Sequence, residues 1–287
     1  MSTVKVAVAQ AASILFDKAA SVQKACDLVG EAGSEGARIV LLPEAFVPGY
    51  PRGFTFGMRV GSRNEQGRAL WKRYWDNAIE ASGPELDQLG NASAEAGVYL
   101  AIGVIERDGR SNGETLYCSM LYFSPEGKLI GRHRKLKPTG SERLIWGEGD
   151  GSTLPVISTE VGNIGGLICW ENYMPLARYS LIARGEQIHV APTWDRGEPW
   201  IPTMQHVAKE GRCFVIGACQ AFHKNDLPDR LEFKETFLSG MDGWLNPGLS
   251  VIVDPDGKVV AGPLKEEEGI LYADVSPDQL VGPRWQL

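Results

Sequence analysis

The stretch NIGGLICWENYMPLARYSLIARGEQIHVA, residues 163–191, contains the alternation of elements that decides the fold. Residues 163–169 form a small and apolar run that is typical of a strand. Residues 176–184 have the spacing of an amphipathic helix, and residues 187–191 are again strand-like. A strand, a helix and a strand in succession indicate the α/β class, in which helices cover the faces of a sheet.

The same alternation extends in both directions along the 287-residue chain. The pattern predicts helices at residues 19–32, 84–96 and 201–210, and strands at residues 4–10, 37–42, 98–106, 116–124, 129–132, 213–220, 249–254 and 258–261. Turn residues at 125–128 and 255–257 join strands into hairpins, so we expect mixed sheets. Because no linker interrupts the alternation, residues 1–287 are predicted to form one domain. Its longest loops are expected at residues 195–200 and 223–242.

The composition limits the partners of the protein. Hydrophobic residues make up 43% of the chain and charged residues 23%, as in soluble globular proteins. The net charge is −7, which predicts no nucleic-acid partner and no anionic-membrane partner, because neither is attracted to an acidic surface. No apolar run approaches the roughly 18 residues that span a bilayer.

Two further features predict a cytoplasmic location. The first strand-like run begins at Val4, with no signal-peptide pattern before it. Four of the five cysteines are expected to be reduced, buried thiols, because they lie mostly in apolar runs. These four are Cys26, Cys118, Cys213 and Cys219.

Common catalytic motifs are missing from the sequence. It contains no G-x-S-x-G elbow, no phosphate-binding G-x-x-x-x-G-K-[ST], no H-E-x-x-H and no C-x-x-C. Its four histidines, at positions 133, 189, 206 and 223, lack the spacing of metal ligands. The sequence therefore argues against a metal- or nucleotide-dependent enzyme, and no cofactor is predicted.

The first of three unusual segments ends in a glutamate. Glu44 follows an apolar strand and a proline in residues 36–46, GARIVLLPEAF, where a sheet delivers side chains to a cleft. Burial in such a cleft raises the pKa of a carboxyl group and suits it to general base catalysis. The alternative for an isolated strand-end glutamate is a surface residue that caps the next turn.

The second segment is basic. Residues 132–138 read RHRKLKP, a tight positive cluster in an acidic protein. Such a basic run usually forms a solvated hairpin arm. A lysine about 4 Å from a thiolate, however, contributes up to roughly 4 kcal/mol at an effective dielectric near 20. Lowering a thiol pKa by two units takes about 2.7 kcal/mol, so one close lysine would be enough.

The third segment places a cysteine at a strand end. Cys169 follows Gly165, Gly166 and two apolar residues and precedes a turn toward a helix. This context is typical of a nucleophile elbow, in which glycines allow close backbone packing. The alternative is a buried cysteine that acts as a small hydrophobic residue.

Taken together, the three segments resemble the motifs of the nitrilase superfamily of carbon–nitrogen hydrolases. Residues 36–51 resemble the first nitrilase signature, with Leu42 where isoleucine or phenylalanine is more usual. Residues 165–176, GGLICWENYMPL, resemble the second signature, and residues 134–139, RKLKPT, resemble the lysine motif between them. The Cys-Trp-Glu-Asn order is typical of true nitrilases. The resemblance extends from Val4 to about residue 276.

The resemblance implies a fold and a catalytic set. The implied fold is a four-layer αββα sandwich formed by one domain. Cys169 is implied as the nucleophile, Glu44 as the general base and Lys135 as the residue that stabilises negative charge. Glu142 matches the second active-site glutamate of the family and is expected to orient Lys135 or a water. The implied reaction converts a nitrile to a carboxylic acid and ammonia through a thioimidate and a thioester.

Aromatic residues near the motifs suggest the substrate. Tyr50, Trp170, Tyr173 and Trp194 are predicted to bind it, and Phe54 and Trp146 also lie near the motifs. They favour aromatic or arylacetonitrile-type nitriles, although each of them alone is equally compatible with core packing. The backbone N–H of Trp170 is a further candidate donor.

Two rival functions and the assembly state stay open at this point. An amidase or carbamoyl hydrolase of the same superfamily would use the same three residues on an amide. A noncatalytic binding module would be expected to lack one of them. The resemblance also implies a homodimer or higher homo-oligomer, formed through a face near the elbow. Related nitrilases usually extend tens of residues beyond the segment that here forms a short C-terminal tail, residues 276–287.

Overall fold

The computed structural model describes residues 3–61, 64–80, 82–109, 114–228 and 243–285, together with positions 231, 234 and 238. Much of the predicted loop at 223–242, and the first and last two residues of the chain, therefore lie outside the described residues. The helices are α1 (Lys18–Ser34), α2 (Glu65–Asp76), α3 (Pro84–Ala96), α4 (Pro175–Ala183), α5 (Trp200–Gly211) and α6 (Val281–Trp285). None of these helices is long and apolar enough to cross a membrane.

Fourteen strands alternate with these helices in the described part of the chain. The first half contains β1 (Val4–Gln10), β2 (Ile39–Leu41), β3 (Ile79–Glu80), β4 (Tyr99–Arg107), β5 (Leu116–Phe123) and β6 (Leu129–Arg134). The second half contains β7 (Val156–Thr159), β8 (Gly162–Gly166), β9 (Ile188–Thr193), β10 (Phe214–Cys219), β11 (Ala221–His223), β12 (Trp244–Val253), β13 (Val259–Lys265) and β14 (Gly269–Val275).

The strands form two sheets of seven strands each. The order in the first sheet is β14-β1-β2-β4-β5-β6, with β3 beside β4, and the order in the second is β11-β12-β10-β9-β8-β7, with β13 beside β12. The centres of both sheets are parallel, whereas hairpins and β14 add antiparallel strands at the edges. The prediction of mixed sheets is therefore confirmed.

Alternation along the strands produces the layers. On β1, Val6 and Val8 point into the core between the two sheets, whereas Ala7 and Ala9 point toward α1 and α3. Helix α1 meets these alanines with Val22, Ala25 and Val29, spaced three and four residues apart. Each buried valine contributes about 1.5–3 kcal/mol by leaving water.

The second sheet is covered in the same way on its other side. Trp200 and Met204 of α5 pack on Val215 and Val251, and Leu181 of α4 packs beside Leu167. The order of layers is helices, sheet, sheet, helices, as the family resemblance implies. Because each sheet is covered on both faces, only the strand ends and the loops that follow them reach a cleft.

Six elements were not predicted from the sequence, namely α2, α6, β3, β7, β11 and β14. Helix α2 buries only Gly67, Leu70 and Tyr74 of its twelve residues, so its apolar stripe is too narrow to stand out. Strand β14 is a partly exposed edge strand that pairs with β1. Strand β2 is shorter than the predicted strand at 37–42. The predicted strand at 163–169 ends at Gly166, because the chain then bends into the cysteine turn.

Candidate active site

The three unusual segments meet where strands of both sheets end. Lys135 directly follows β6. Glu44 lies three residues beyond the end of β2, and Cys169 lies three residues beyond the end of β8. The Glu44 segment lies flat on β4 because Gly103 has no side chain. A Cβ atom on Gly103 would lie 2.4 Å from the Pro43 carbonyl oxygen and 2.6 Å from the Glu44 Cα. The fold thus requires a glycine at this crossing.

A lysine between two carboxylates forms the centre of the cluster. Lys135 Nζ donates to Glu44 Oε1 at 2.7 Å and to Glu142 Oε2 at 2.9 Å. Glu44 is 0% exposed, Lys135 1% and Glu142 7%, so the three charges are held away from water. Burial of charges costs free energy unless they are paired and hydrogen-bonded, and here both conditions are met.

Backbone and side-chain donors fix the Glu44 carboxylate. The Trp194 backbone N–H donates to Oε2 at 2.9 Å, and the Cys118 thiol donates to Oε1 at 3.5 Å. The Gln220 amide donates to the Glu44 backbone carbonyl at 2.9 Å. Glu44 is therefore held from both sheets, since Cys118 lies on β5 and Trp194 follows β9.

Glu142 is equally constrained. It lies in a 3-10 helix, Gly140–Leu144, and its Oε2 accepts the Thr139 backbone N–H at 2.6 Å. Its Oε1 accepts a hydrogen bond from the Tyr50 hydroxyl at 2.6 Å. The Glu142 carboxylate thus accepts three hydrogen bonds, from Lys135, Thr139 and Tyr50, which leaves it little freedom to rotate.

Cys169 begins the 3-10 helix Cys169–Tyr173 with a backbone φ of 52°. A left-handed conformation is strained for a residue with a side chain and is typical of functional turns. The cysteine retains partial exposure. Its thiol interacts with the Glu44 carboxylate and the Thr193 side chain. The elbow therefore places a partly exposed cysteine beside the buried acid–lysine cluster.

The protonation of Cys169 differs from the expectation from sequence. Burial raises the pKa of the Cys169 thiol, and the Glu44 carboxylate raises it further, against the opposing effect of Lys135. The direction of this shift is opposite to the hypothesis that one close lysine lowers the pKa of a thiol enough to ionise it. Glu44 is the carboxylate that interacts with this thiol.

The pKa values of Glu44 and Lys135 shift with their burial. Burial raises the pKa of Glu44, Lys135 opposes the shift, and Glu142 adds to it. Burial alone would lower the pKa of Lys135, but Glu44 and its other acidic neighbours raise it well above the ordinary value. The shift of Lys135 thus favours its charged form, whereas the shift of Glu44 favours its protonated form.

The predicted aromatic residues separate into two groups. Tyr50 stacks on Trp194 with ring centres 4.8 Å apart and meets Trp146 edge-on at 5.7 Å. The Tyr50 hydroxyl connects this group to Glu142 by a hydrogen bond. A cleft of about 410 Å³ begins at Tyr50 and Glu142 and continues past Phe54, Met58 and Leu144.

Trp170 and Tyr173 form the second group. Their ring centres lie 4.6 Å apart, the Trp170 side chain is half exposed, and Tyr173 reaches Asp195 at 3.5 Å. Because the Trp170 ring faces solvent, the structure does not place it in the aromatic wall of Tyr50 and Trp194. A role for Trp170 in substrate binding rests on its backbone N–H and stays a prediction.

Several residues that hold the cluster were not foreseen. Cys118, Thr139, Thr193, Gln220 and Glu171 all touch or brace the predicted residues. They lie on different strands and turns, and no spacing in the sequence shows that they converge. Among the residues that the structure describes, no group of three or more His, Cys, Asp or Glu side chains is arranged to hold a metal ion.

Comparison with known proteins identifies the family. The family model for carbon–nitrogen hydrolases matches residues 5–282. The chain belongs to the carbon–nitrogen hydrolase family, whose members hydrolyse carbon–nitrogen bonds. Within this family it falls in the nitrilase branch, as the sequence motifs predict.

Three similar proteins support the assignment to the nitrilase branch. The chain is 47% identical over 97% of its length to the nitrilase blr3397 of Bradyrhizobium diazoefficiens, of which it covers 85%. It is 47% identical over its whole length to the aliphatic nitrilase of Sinorhizobium fredii, of which it covers 90%. It is 45% identical over 95% of its length to nitrilase 2 of Arabidopsis thaliana, of which it covers 80%.

Solved structures confirm the fold. Nit3 of Saccharomyces cerevisiae superposes with a TM-score of 0.76 at 23% identity, covering 99% of this chain and 94% of that one. A carbon–nitrogen hydrolase from Helicobacter pylori G27 gives a TM-score of 0.75 at 19% identity, covering 99% and 92%. At these identities the likeness concerns the fold alone.

Proposed function

We propose that the protein hydrolyses an organic nitrile to the carboxylic acid and ammonia, with Cys169 as nucleophile. The observation that carries the proposal is the buried cluster in which Lys135 lies between Glu44 and Glu142, while Glu44 contacts the Cys169 thiol. The 45–47% identity to nitrilases over nearly the whole chain supports the nitrile as substrate.

The first half of the reaction forms and opens a thioimidate. Glu44 accepts the thiol proton while Cys169 Sγ bonds to the nitrile carbon, and the displaced electron pair moves onto the nitrile nitrogen. Lys135 donates a hydrogen bond to that nitrogen, in the way that an oxyanion hole stabilises an oxygen. Glu44 returns the thiol proton to this nitrogen, which gives the thioimidate. Glu44 then removes a proton from a water as its oxygen adds to the thioimidate carbon, and passes that proton to the nitrogen. The proton of the new hydroxyl also moves to the nitrogen as the carbon–oxygen double bond forms, the carbon–nitrogen bond breaks, and ammonia leaves. The product is a Cys169 thioester.

The second half releases the acid. Glu44 removes a proton from a second water, whose oxygen attacks the thioester carbon, and the proton returns to the departing Cys169 sulfur. Glu142 orients Lys135, whose ammonium also stabilises the negative oxygen of this step. One nitrile and two waters thus give one acid and one ammonia. No cofactor takes part in the proposed reaction.

The aromatic residues near Glu142 favour aromatic or arylacetonitrile-type substrates. Tyr50 lines the cleft next to Glu142 and packs against the buried Trp146 and Trp194. One aromatic pair between Tyr50 and a substrate ring would contribute about 0.5–1.5 kcal/mol. The cleft of about 410 Å³ is large enough for a phenyl group. One relative of 47% identity is an aliphatic nitrilase, and the test therefore includes an aliphatic nitrile.

The test compares a nitrile with its matching amide. Phenylacetonitrile and phenylacetamide are offered separately to the enzyme, with propionitrile and propionamide as the aliphatic pair, and ammonia release is measured. We expect faster release from each nitrile and the higher kcat/KM for phenylacetonitrile. Faster release from the amides would establish the amidase alternative. A preference for propionitrile would refute the aromatic substrate class alone.

The charge of Glu142 is expected to matter more than its shape. Glu142→Gln retains the size of the side chain but leaves Lys135 paired with Glu44 alone. We expect turnover to fall about 100-fold, as for loss of one preorganised electrostatic contact, with the melting temperature nearly unchanged. Tyr50→Phe is the control, because it removes only the hydrogen bond to Oε1. Wild-type turnover in Glu142→Gln would remove Glu142 from the site.

The pH profile should show the raised pKa of Glu44. Below its pKa, Glu44 is protonated and cannot accept the thiol proton. Because burial raises that pKa, activity is expected to be lost on acidification at a higher pH than an ordinary glutamate, about 4.3, would give. The measurement is kcat/KM between pH 4 and 8. The acid limb of this profile reports the apparent pKa of the coupled Glu44, Lys135 and Glu142 cluster. An acid limb at or below about pH 4.3 would contradict a buried base.

We also propose that the enzyme forms a homodimer or higher homo-oligomer through the face beside the elbow. Leu176 is 82% exposed and Tyr179 67% exposed on α4, next to the half-exposed Trp170. A cluster of exposed large apolar side chains is typical of an interface. Tyr179→Arg should shift the sedimentation coefficient toward the monomer. An unchanged oligomer in this variant would place the interface elsewhere.

A cytoplasmic location is proposed from the cysteines. All five are free thiols, and Cys118, Cys213 and Cys219 are buried. Reduced thiols are typical of cytosolic proteins, whereas secreted proteins tend to form disulfides. The acidic net charge of −7 supports a small-molecule nitrile, rather than nucleic acid or a membrane, as the partner.

A further inference from the structure

Glu171 is a buried carboxylate that the proposed reaction does not use. It lies two residues after Cys169 and is 0% exposed. Its Oε2 accepts the Ile168 backbone N–H at 2.7 Å, and its Oε1 accepts the Leu136 backbone N–H at 2.6 Å. Ile168 directly precedes Cys169, and Leu136 directly follows Lys135. One carboxylate therefore binds the chain on both sides of the active site.

His133 completes this link. Its Nε2 lies 2.9 Å from Glu171 Oε2 and 3.1 Å from Oε1, and its Nδ1 lies 2.9 Å from the Thr153 carbonyl oxygen. A carbonyl only accepts, so Nδ1 donates to Thr153, and Nε2 faces the carboxylate within hydrogen-bond distance. The imidazole and the carboxylate thus form a buried, hydrogen-bonded pair that is 0% exposed at both members.

The link crosses the boundary between the two sheets. His133 lies on β6 and Lys135 follows it in the first sheet, whereas Cys169 follows β8 in the second. Lys135 must reach the nitrogen of a nitrile whose carbon bonds to Cys169, so the separation of the two segments sets the geometry of attack. A misplacement of about 1 Å can cost on the order of 100-fold in rate.

We propose that Glu171 and His133 are positioning residues that fix the spacing between Lys135 and Cys169. The proposal rests on the proposed function, since it concerns the same reaction. Glu171 holds the elbow and the lysine segment through their backbone N–H groups. His133 holds the carboxylate in the orientation that serves both. Neither residue needs to touch the substrate.

Glu171→Gln tests the proposal directly. Glutamine has one acceptor oxygen and one donor amide, so it can serve only one of the two backbone N–H groups and loses the charge facing His133. We expect kcat to fall about 10- to 100-fold with KM within about twofold of wild type, measured per folded enzyme by circular dichroism. Wild-type kcat, or a loss that only tracks the unfolded fraction, would overturn the proposal.

Substitution of His133 gives an independent test should Glu171→Gln fold poorly. The amide of His133→Gln can still donate a hydrogen bond to Glu171, whereas His133→Ala leaves the carboxylate buried without that partner. The expected order of kcat is wild type, then His133→Gln, then His133→Ala, with similar KM values. Equal rates in the glutamine and alanine variants would refute a role for the hydrogen bond.

Glu106→Gln is the matched control. Glu106 is a buried carboxylate that also holds the β6 segment, through Arg132 at 2.8 Å and Arg134 at 2.5 Å, and its hydrogen bonds lie within the first sheet. Its replacement should lower the melting temperature about as much as Glu171→Gln but leave kcat within about threefold. An equal loss of kcat in Glu106→Gln and Glu171→Gln would show that general destabilisation causes the loss, and would refute the positioning role.

A substrate-free measurement separates failure of this proposal from failure of the proposed function. If the wild type hydrolyses neither nitriles nor amides, the proposed function fails. The rate of Cys169 alkylation by iodoacetamide, followed by intact mass at one pH, still reports the surroundings of the thiol. Glu171→Gln is expected to change that rate several-fold, and Glu106→Gln is expected to leave it unchanged. Equal rates in all three proteins would refute the positioning role.

Discussion

Replacement of Cys169 by alanine is expected to leave a folded protein with no measurable nitrile hydrolysis. The sulfur forms the covalent bond to the nitrile carbon, and Glu44, Lys135 and Glu142 have no nucleophile to assist without it. Cys169 is partly exposed and packs at the rim of the core, so loss of its sulfur should cost little stability. The measurement is ammonia release with circular dichroism and melting temperature as the controls for folding.

Cys169→Ser is expected to be almost as inactive. A serine hydroxyl is far less acidic than a thiol, and Glu44 cannot remove its proton at neutral pH at a useful rate. The comparison is informative because serine retains the size and hydrogen-bonding capacity of cysteine at the strained elbow. Activity in the serine variant above about one-hundredth of wild type would show that the acid–lysine cluster activates a hydroxyl, and the thiol mechanism would need revision.

An adduct should identify the nucleophile independently. Wild-type enzyme quenched during turnover is expected to carry one acyl group, and peptide mapping should place it on Cys169. Cys118 serves as the control, because its thiol also contacts Glu44 but is fully buried, and burial raises its pKa well above the ordinary value. An adduct on Cys118, or substantial activity in Cys169→Ala, would contradict the proposed mechanism.

The layers of the fold could be predicted because they follow from local periodicity. The two-residue alternation of β1 and the three- and four-residue spacing of α1 are visible in the sequence, and each element buries the faces that its pattern indicates. Helix α2 and strand β14 could not be predicted in this way. The residues of α2 are mostly exposed and those of β14 mostly half exposed, and both elements are stabilised by tertiary contacts that no local pattern encodes.

The membership of the site was predictable from motifs, whereas its electrostatics was not. Glu44, Lys135 and Glu142 converge as the motifs predict. The pKa of Cys169, however, depends on how many carboxylates share Lys135 and on how much water is excluded, and both quantities arise from the packing of two sheets. For the same reason, His133 looked like an isolated histidine, although it pairs with Glu171.

Lys135→Ala is expected to abolish turnover, with a loss of about 1,000-fold or more. The substitution removes the only cation that touches both carboxylates among the described residues, and with it the donor for the developing negative charge on nitrogen. Glu44 and Glu142 would then lie buried and unpaired. Removal of one partner from a buried ion pair destabilises a protein by about 3–5 kcal/mol, so activity must be normalised to folded protein.

Lys135→Arg separates charge from geometry. Arginine retains the positive charge, but its planar fork is larger than an ammonium and directs its donors differently. Lys135 is 1% exposed, so the cavity has no space for the longer side chain. We expect Lys135→Arg to be nearly as inactive as Lys135→Ala. Substantial activity would show that a positive charge is sufficient and that the point of hydrogen bonding is not critical.

Lys137→Ala is the matched control for both substitutions. Lys137 lies two residues away in the same motif, but its side chain is 53% exposed and pairs with Glu148 at the surface. Surface ion pairs contribute about 0–1 kcal/mol, so both stability and kcat are expected to stay within about twofold to threefold of wild type. If Lys137→Ala were inactive and Lys135→Ala active, Lys137 rather than Lys135 would carry the catalytic ammonium. The buried cluster would then be structural.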